Sequence, residues 1–179
     1  MNPGWWRRNR WGLLLLVPAL ALALYSPVKT GYRMYWKAEP RQPVSGTPGS
    51  WVAYDGARMR LTRLAADTGP QDFLGDPVAI PAGTQAWKAT VDFDVPHGVK
   101  LSLCTVSLET ADGKTFSPGP DDLKDLDAPF DYCTPEDPDD KSAKYQTVAY
   151  FLLPREAHPV ALRVVAKTKL PDYARLTPP

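Results

Sequence analysis

Few residues of this 179-residue chain could carry chemistry, and their spacing limits what that chemistry is. His97 and His158 each lie beside a proline or glycine at the end of a predicted strand. A histidine-dependent triad needs one of them next to a nucleophile and an orienting acid. No GxSxG, P-loop, GxGxxG or HExxH motif accompanies them, so they read as turn histidines. Asp92 and Asp94 share one face of a predicted strand, as a pair of glycosidase carboxylates would. Same-face neighbours occur in every strand, so without a cleft the pair carries no catalytic meaning. Cys104 and Cys133 have neither CxxC spacing nor a His-rich neighbourhood, which argues against a metal site. Outside the cytoplasm they read as one disulfide, and in the cytosol as reduced thiols. A bridge would close a loop that chain-entropy arguments value at about 3–4 kcal/mol. No catalytic residue, metal ligand set or cofactor is expected, and the chain reads as a non-enzyme.

The most distinctive polar stretch is DDLKDLDAPFDYCTPEDPDD, residues 121–140, with nine acidic residues against Lys124 alone. Asp121, Asp122, Asp125, Asp127 and Asp131 offer the hard oxygen donors that calcium takes. The stretch lacks the central glycine of an EF-hand loop, so the cation reading stands beside that of a solvated or partner-facing acidic loop.

Location is written in the first thirty residues. WWRRNRWGLLLLVPALALALYSPV places Arg7, Arg8 and Arg10 before a charge-free run over 11–28. At 1.5 Å per residue that run reaches about 27 Å, short but workable against a hydrocarbon core of about 30 Å. Ala21 and Ala23 form an A-x-A pattern, so a cleaved signal peptide is the competing reading. Cleavage after Ala23 would leave a short apolar core interrupted by Pro18, and the run continues into Leu24 and Tyr25 rather than a polar region. Trp5, Trp6 and Trp11 on one side, and Tyr25, Tyr32, Tyr35 and Trp36 on the other, supply interfacial anchors. The expected membrane-interface residues are therefore Arg7, Arg8, Arg10, Trp11, Tyr25 and Trp36, with the N-terminus cytoplasmic. Both readings export the remainder of the chain, and retention in the bilayer is favoured over cleavage.

The expected organisation is a cytoplasmic basic segment over 1–10, a transmembrane helix over 11–28, a juxtamembrane linker over 29–49 and a folded domain over 50–179. Between 29 and 63 seven basic residues face only Glu39 and Asp55, a stretch suited to anionic headgroups or to plain solvation. From residue 50 the apolar pattern alternates with period two. WVAY and ARMRLTRLAAD flank Asp55-Gly56, a strong hairpin signal, with Met59, Leu61 and Arg63 expected on one face. QAWKATVDFDV places Trp87, Ala89, Val91, Phe93 and Val95 inward. In KLSLCTVSLET the phase shifts between Leu103 and Val106, which predicts a bulge inside the strand. YQTVAYFLLP and PVALRVVAKTKL add two more strands, for about seven in all. Twenty prolines and twelve glycines suit many turns, and 44% apolar residues suffice for a core. The fold class is all-β, an antiparallel sandwich. A net charge of +1 argues against a dedicated nucleic-acid binder.

CTVSLETADGKTF, with Asp112, Gly113, Lys114 and Phe116, is followed by a Cys-containing loop and then by TVAYFLLPREAHPVALRV, with Tyr150 and Pro154 closing its first half. Over about residues 85–168 this pattern resembles the immunoglobulin-like, telokin-like extracytoplasmic domains of bacterial membrane-anchored proteins. The resemblance implies an Ig-like sandwich with a binding or accessory role, and it transfers no functional residues. The expected function is a non-catalytic module of an envelope protein complex, with the bilayer and another envelope or membrane protein as partners. The alternative is a ligand-binding domain, for calcium among other ligands, that uses the acidic loop.

Overall fold

The computed structural model describes residues 3–72, 74–101, 103–123, 126, 132–135 and 143–179. The chain forms two compact units, residues 1–39 and 40–179. The first is the helix α1, Pro3–Gly31, continued by a π-helical turn over Tyr32–Trp36. Pro18 and Pro27 lie inside α1, where each removes one backbone donor without ending the helix.

The second unit is built from nine strands among the described residues: β1 Gln42–Ser45, β2 Val52–Tyr54, β3 Ala57–Asp67, β4 Thr84–Asp94, β5 Cys104–Thr110, β6 Thr115–Phe116, β7 Lys144–Pro154, β8 Pro159–Ala166 and β9 Asp172–Leu176. One sheet has the order β2-β3-β4-β7 and the other β1-β9-β8-β5-β6. All pairs are antiparallel except β1 with β9. Residues from both sheets meet in one core that includes Met59, Leu61, Val91, Phe93 and Phe151 from one side and Val106, Leu108, Leu162, Val164 and Leu176 from the other. The architecture is an immunoglobulin-like β-sandwich preceded by one N-terminal apolar helix.

The Asp55-Gly56 hairpin forms with φ of 50° and 78° at its two central residues, the twist that a two-residue turn between right-handed strands requires. On β4 the alternation holds, with Ala89, Val91 and Phe93 buried and Trp87 half-buried against the same core. Tyr54 ties the sheets together. Its hydroxyl donates to the Asp172 carbonyl at 2.9 Å and accepts the Ala166 N–H at 3.0 Å. Burial raises its pKa above that of a free phenol.

Three features depart from the sequence reading. A register shift between Leu61 and Arg63 turns Arg63 outward and brings Leu64 against the core, so the inward placement expected for Arg63 is corrected. The phase shift near Leu103 is not a bulge inside a strand. Strand β5 begins at Cys104, Leu101 is buried ahead of it, and Leu103 sits exposed at φ 53°. The irregularity in β5 falls instead at Glu109/Thr110. The expected linker over 29–49 is also divided: α1 and its π turn run to Trp36, and residues 42–45 are strand β1.

Phe93 is fully buried and stacks on Tyr145 with ring centroids 5.2 Å apart. Phe93→Ala should therefore cost about 3–5 kcal/mol in urea unfolding, a cavity-sized loss.

Candidate interaction surfaces

Cys104, at the start of β5, is bonded to Cys133 in the segment before β7, with Cα atoms 6.0 Å apart. The staple holds residues 132–135 to the sandwich. Thr147 Oγ1 donates to the Tyr132 carbonyl at 3.0 Å, and the Tyr145 hydroxyl to the Cys133 carbonyl at 2.6 Å. Leu123 and Leu126 are buried with Ala86 in a small second core, to which Val78, Ile80, Tyr150 and Leu152 add. The Gly119 N–H donates to the Tyr150 carbonyl at 2.9 Å. Gly119 has φ 59°, and a Cβ there would come within 2.7 Å of the Tyr132 hydroxyl, so this position requires glycine.

Of the expected acidic loop residues, Asp121 and Asp122 lie exposed in a single 3-10 turn over Asp121–Leu123. Asp125, Asp127 and Asp131 lie outside the described residues. Among the described residues no three His, Cys, Asp or Glu side chains cluster as a metal site would need.

Asp92 and Asp94 are engaged by arginines directly opposite on β3. Arg60 donates from Nε and Nη2 to Asp92 Oδ2 at 3.0 and 2.8 Å, and Gln146 Nε2 donates to Asp92 Oδ1 at 2.8 Å. Arg58 pairs with Asp94. Trp51 packs against both guanidinium groups, with Arg60 4.8 Å and Arg58 5.8 Å from its ring centre. Each carboxylate is thus held by its own cation, an arrangement unlike two free carboxylates facing a cleft. Sequence reasoning missed Arg58, Arg60 and Gln146 as the partners of this face. Only the β3–β4 and β4–β7 register identifies them. On the other sheet Arg175 grips Glu109 through Nε and Nη2 at 3.0–3.1 Å, which raises the arginine pKa further.

His158 lines a shallow groove of about 220 Å³ with Thr110, Asp112, Lys114, Phe116 and Glu156. Its carbonyl accepts the Ala111 N–H at 2.9 Å, and so fixes the β5–β6 hairpin. Asp112 lies 2.8 Å from Lys114 Nζ and accepts from Thr110 Oγ1 at 2.6 Å. The lysine first, then the hydroxyl, hold the Asp112 carboxyl down to about 2 and the Lys114 pKa is raised in turn.

In the first unit, Arg7 occupies α1, and Arg8, Arg10, Trp11 and Tyr25 are exposed along it, with Trp36 exposed in the π turn. Arg10 lies over Trp11 at 5.6 Å, Lys29 over Tyr25 at 5.5 Å and Lys37 over Tyr32 at 5.9 Å. The span from Arg8 to Trp36 is long and apolar enough to cross a membrane.

Together these features define an immunoglobulin-like sandwich stapled by one disulfide and preceded by an apolar helix. No family model matches the sequence, and no curated protein matches it either. Among solved structures, the secreted protein MPT63 from Mycobacterium tuberculosis is similar at 18% identity and a TM-score of 0.46, over 76% of this chain and 98% of that chain.

Two measurements test these surfaces. Cys104→Ser with Cys133→Ser should lower unfolding stability by about 3–4 kcal/mol, and reduction of the native chain should have the same effect. By NMR, Asp112 should titrate near 2, and Lys114→Ala should return it toward the ordinary value of about 3.9. Because folding depresses this pKa, the associated stabilisation is full above the unfolded value and fades as pH falls toward 2.

Proposed function

We propose that the chain is a single-pass membrane protein, N-terminus cytoplasmic, whose sandwich stands outside the cytoplasm as a non-catalytic binding or accessory module of an envelope protein complex. The observation that carries the anchoring is the helix itself. Every described side chain over residues 11–28 is exposed, so the apolar run has no core of its own to fill and needs a solvent other than water. Retention is supported by continuity: Ala21 and Ala23 lie within α1, which runs on to Gly31 and then into the π turn. The disulfide suits an oxidising compartment, which is where such bonds persist.

The non-catalytic reading is supported by how the candidate chemical groups are used. Asp92 and Asp94 are tied to Arg60 and Arg58, both cysteines are in the bridge, and the His158 backbone fastens a hairpin. A partner-binding sandwich exploits such rigid, fully paired faces as a scaffold for its loops.

The intact mass of the protein purified from membranes checks the anchor. Retention predicts a chain that begins at Met1 or Asn2 and resists alkaline extraction. A chain that begins at Leu24 in the soluble fraction would overturn it. The accessory role predicts reproducible co-purification, from mild detergent, of one membrane partner that crosslinks to the sandwich; a monomer without partners would count against it.

A further inference from the structure

The segment after the apolar run has a property that anchoring alone does not need. No acidic residue precedes Glu39, so the whole first unit up to that point carries only positive side chains. Nineteen residues separate Arg10 from Lys29, about 28 Å along an α-helix, close to the 30 Å of a hydrocarbon core. With Arg10 at one boundary, Lys29 reaches the other, and the helical turns beyond it stand at headgroup depth. There Lys29, Arg33 and Lys37 recur every fourth residue, one in the last turn of α1, one in the π turn and one at its C-cap. Tyr25, Tyr32, Tyr35 and Trp36 interleave with them and are all exposed.

The geometry of this turn supports one use. The π turn is closed by the Lys37 N–H, which donates to the Tyr32 carbonyl at 3.1 Å, and the same lysine places its ammonium over the Tyr32 ring. Lys29 lies over Tyr25 in the same manner. Each ammonium is thus supported on an aromatic ring at interfacial depth, where the ring is amphipathic and the cation is near phosphate. We propose that Lys29, Arg33 and Lys37 form a collar that binds anionic phospholipid headgroups of the extracytoplasmic leaflet, with the interleaved rings at the level of the glycerol backbone. Charge complementarity selects this occupant: three cations within nine residues, without an acid among them, meet a phosphodiester surface.

This inference rests on the membrane-anchored reading, and one experiment separates the two. The full-length protein is inserted into nanodiscs that hold phosphatidylcholine and phosphatidylglycerol in equal amounts, and the lipids retained after mild extraction are counted by native mass spectrometry. The expected result is an enrichment of phosphatidylglycerol of about fivefold or more, which falls at least about threefold in the variant Lys29→Gln, Arg33→Gln, Lys37→Gln and weakens in 0.5 M salt. The matched variant Arg7→Gln, Arg8→Gln, Arg10→Gln, which alters the opposite leaflet, should keep a larger share of the enrichment. An enrichment unchanged by the first variant would overturn the collar while leaving the anchor intact. A protein that fails to enter the nanodiscs would overturn both. Displacement of the lipid by millimolar inorganic phosphate would identify a soluble-phosphate site and overturn the lipid assignment. Closure of the disulfide and the far-UV dichroism of the variants control for folding.

Discussion

An eleven-residue strand at the open edge of a sheet is the constraint around which the sandwich is arranged. Among the described residues strand β7 has β4 on one side only, and an edge of that length offers unpaired N–H and C=O groups to any passing strand. Described parts of the segment between β6 and β7 pack beside it. Gly119, Tyr132 and Cys133 make hydrogen bonds to residues of β7, and Leu123 and Leu126 fill the hollow beside Tyr150 and Leu152. The disulfide joins Cys133 to β5, which belongs to the opposite sheet. The bond therefore ties residues that pack beside β7 to a strand of the opposite sheet.

That arrangement changes the meaning of the acidic stretch. Its charge invites a reading as a ligand site, yet the residues that fix it are apolar or aromatic: Leu123, Leu126, Tyr132 and Cys133. Asp121 and Asp122 stay in water while Leu123, next in sequence, is buried. The described attachment of this stretch is thus made by side chains that leave water, with the two described carboxylates left in it. The same logic applies to the outer sheet face. Arg58 and Arg60 neutralise Asp94 and Asp92 across one strand pair, and cross-strand pairing of opposite charge stabilises a sheet. Because these pairs are partly exposed, each contributes modestly to stability, and their larger effect is to fix the register of β3 on β4.

Elements with local determinants were legible in the sequence. Asp55-Gly56 needs two residues that tolerate positive φ, and β4 shows period two over a full strand length. The disulfide was legible once export was inferred from α1. Strand β1 was not: its four residues are all exposed, one is proline, and its pairing with β9 comes from more than a hundred residues away. The shift at Thr62 was equally hidden, because an arginine that turns outward and a leucine that turns inward match either phase of a short pattern. The Arg–Asp ladder depends on a register across the connection over 68–83, whose length no local rule fixes.

The net charge of +1 conceals a division between the two units. Six of the 21 basic residues and one of the 20 acidic ones lie in residues 1–39, so residues 40–179 hold 15 basic against 19 acidic. An anionic surface attracts the first set and repels the second. Such attraction acts within about a Debye length, roughly 8 Å at physiological salt, so in the proposed collar only charges as close to the surface as Lys29, Arg33 and Lys37 would feel it. For the accessory role proposed above, the acidic excess of residues 40–179 favours a partner with a basic face.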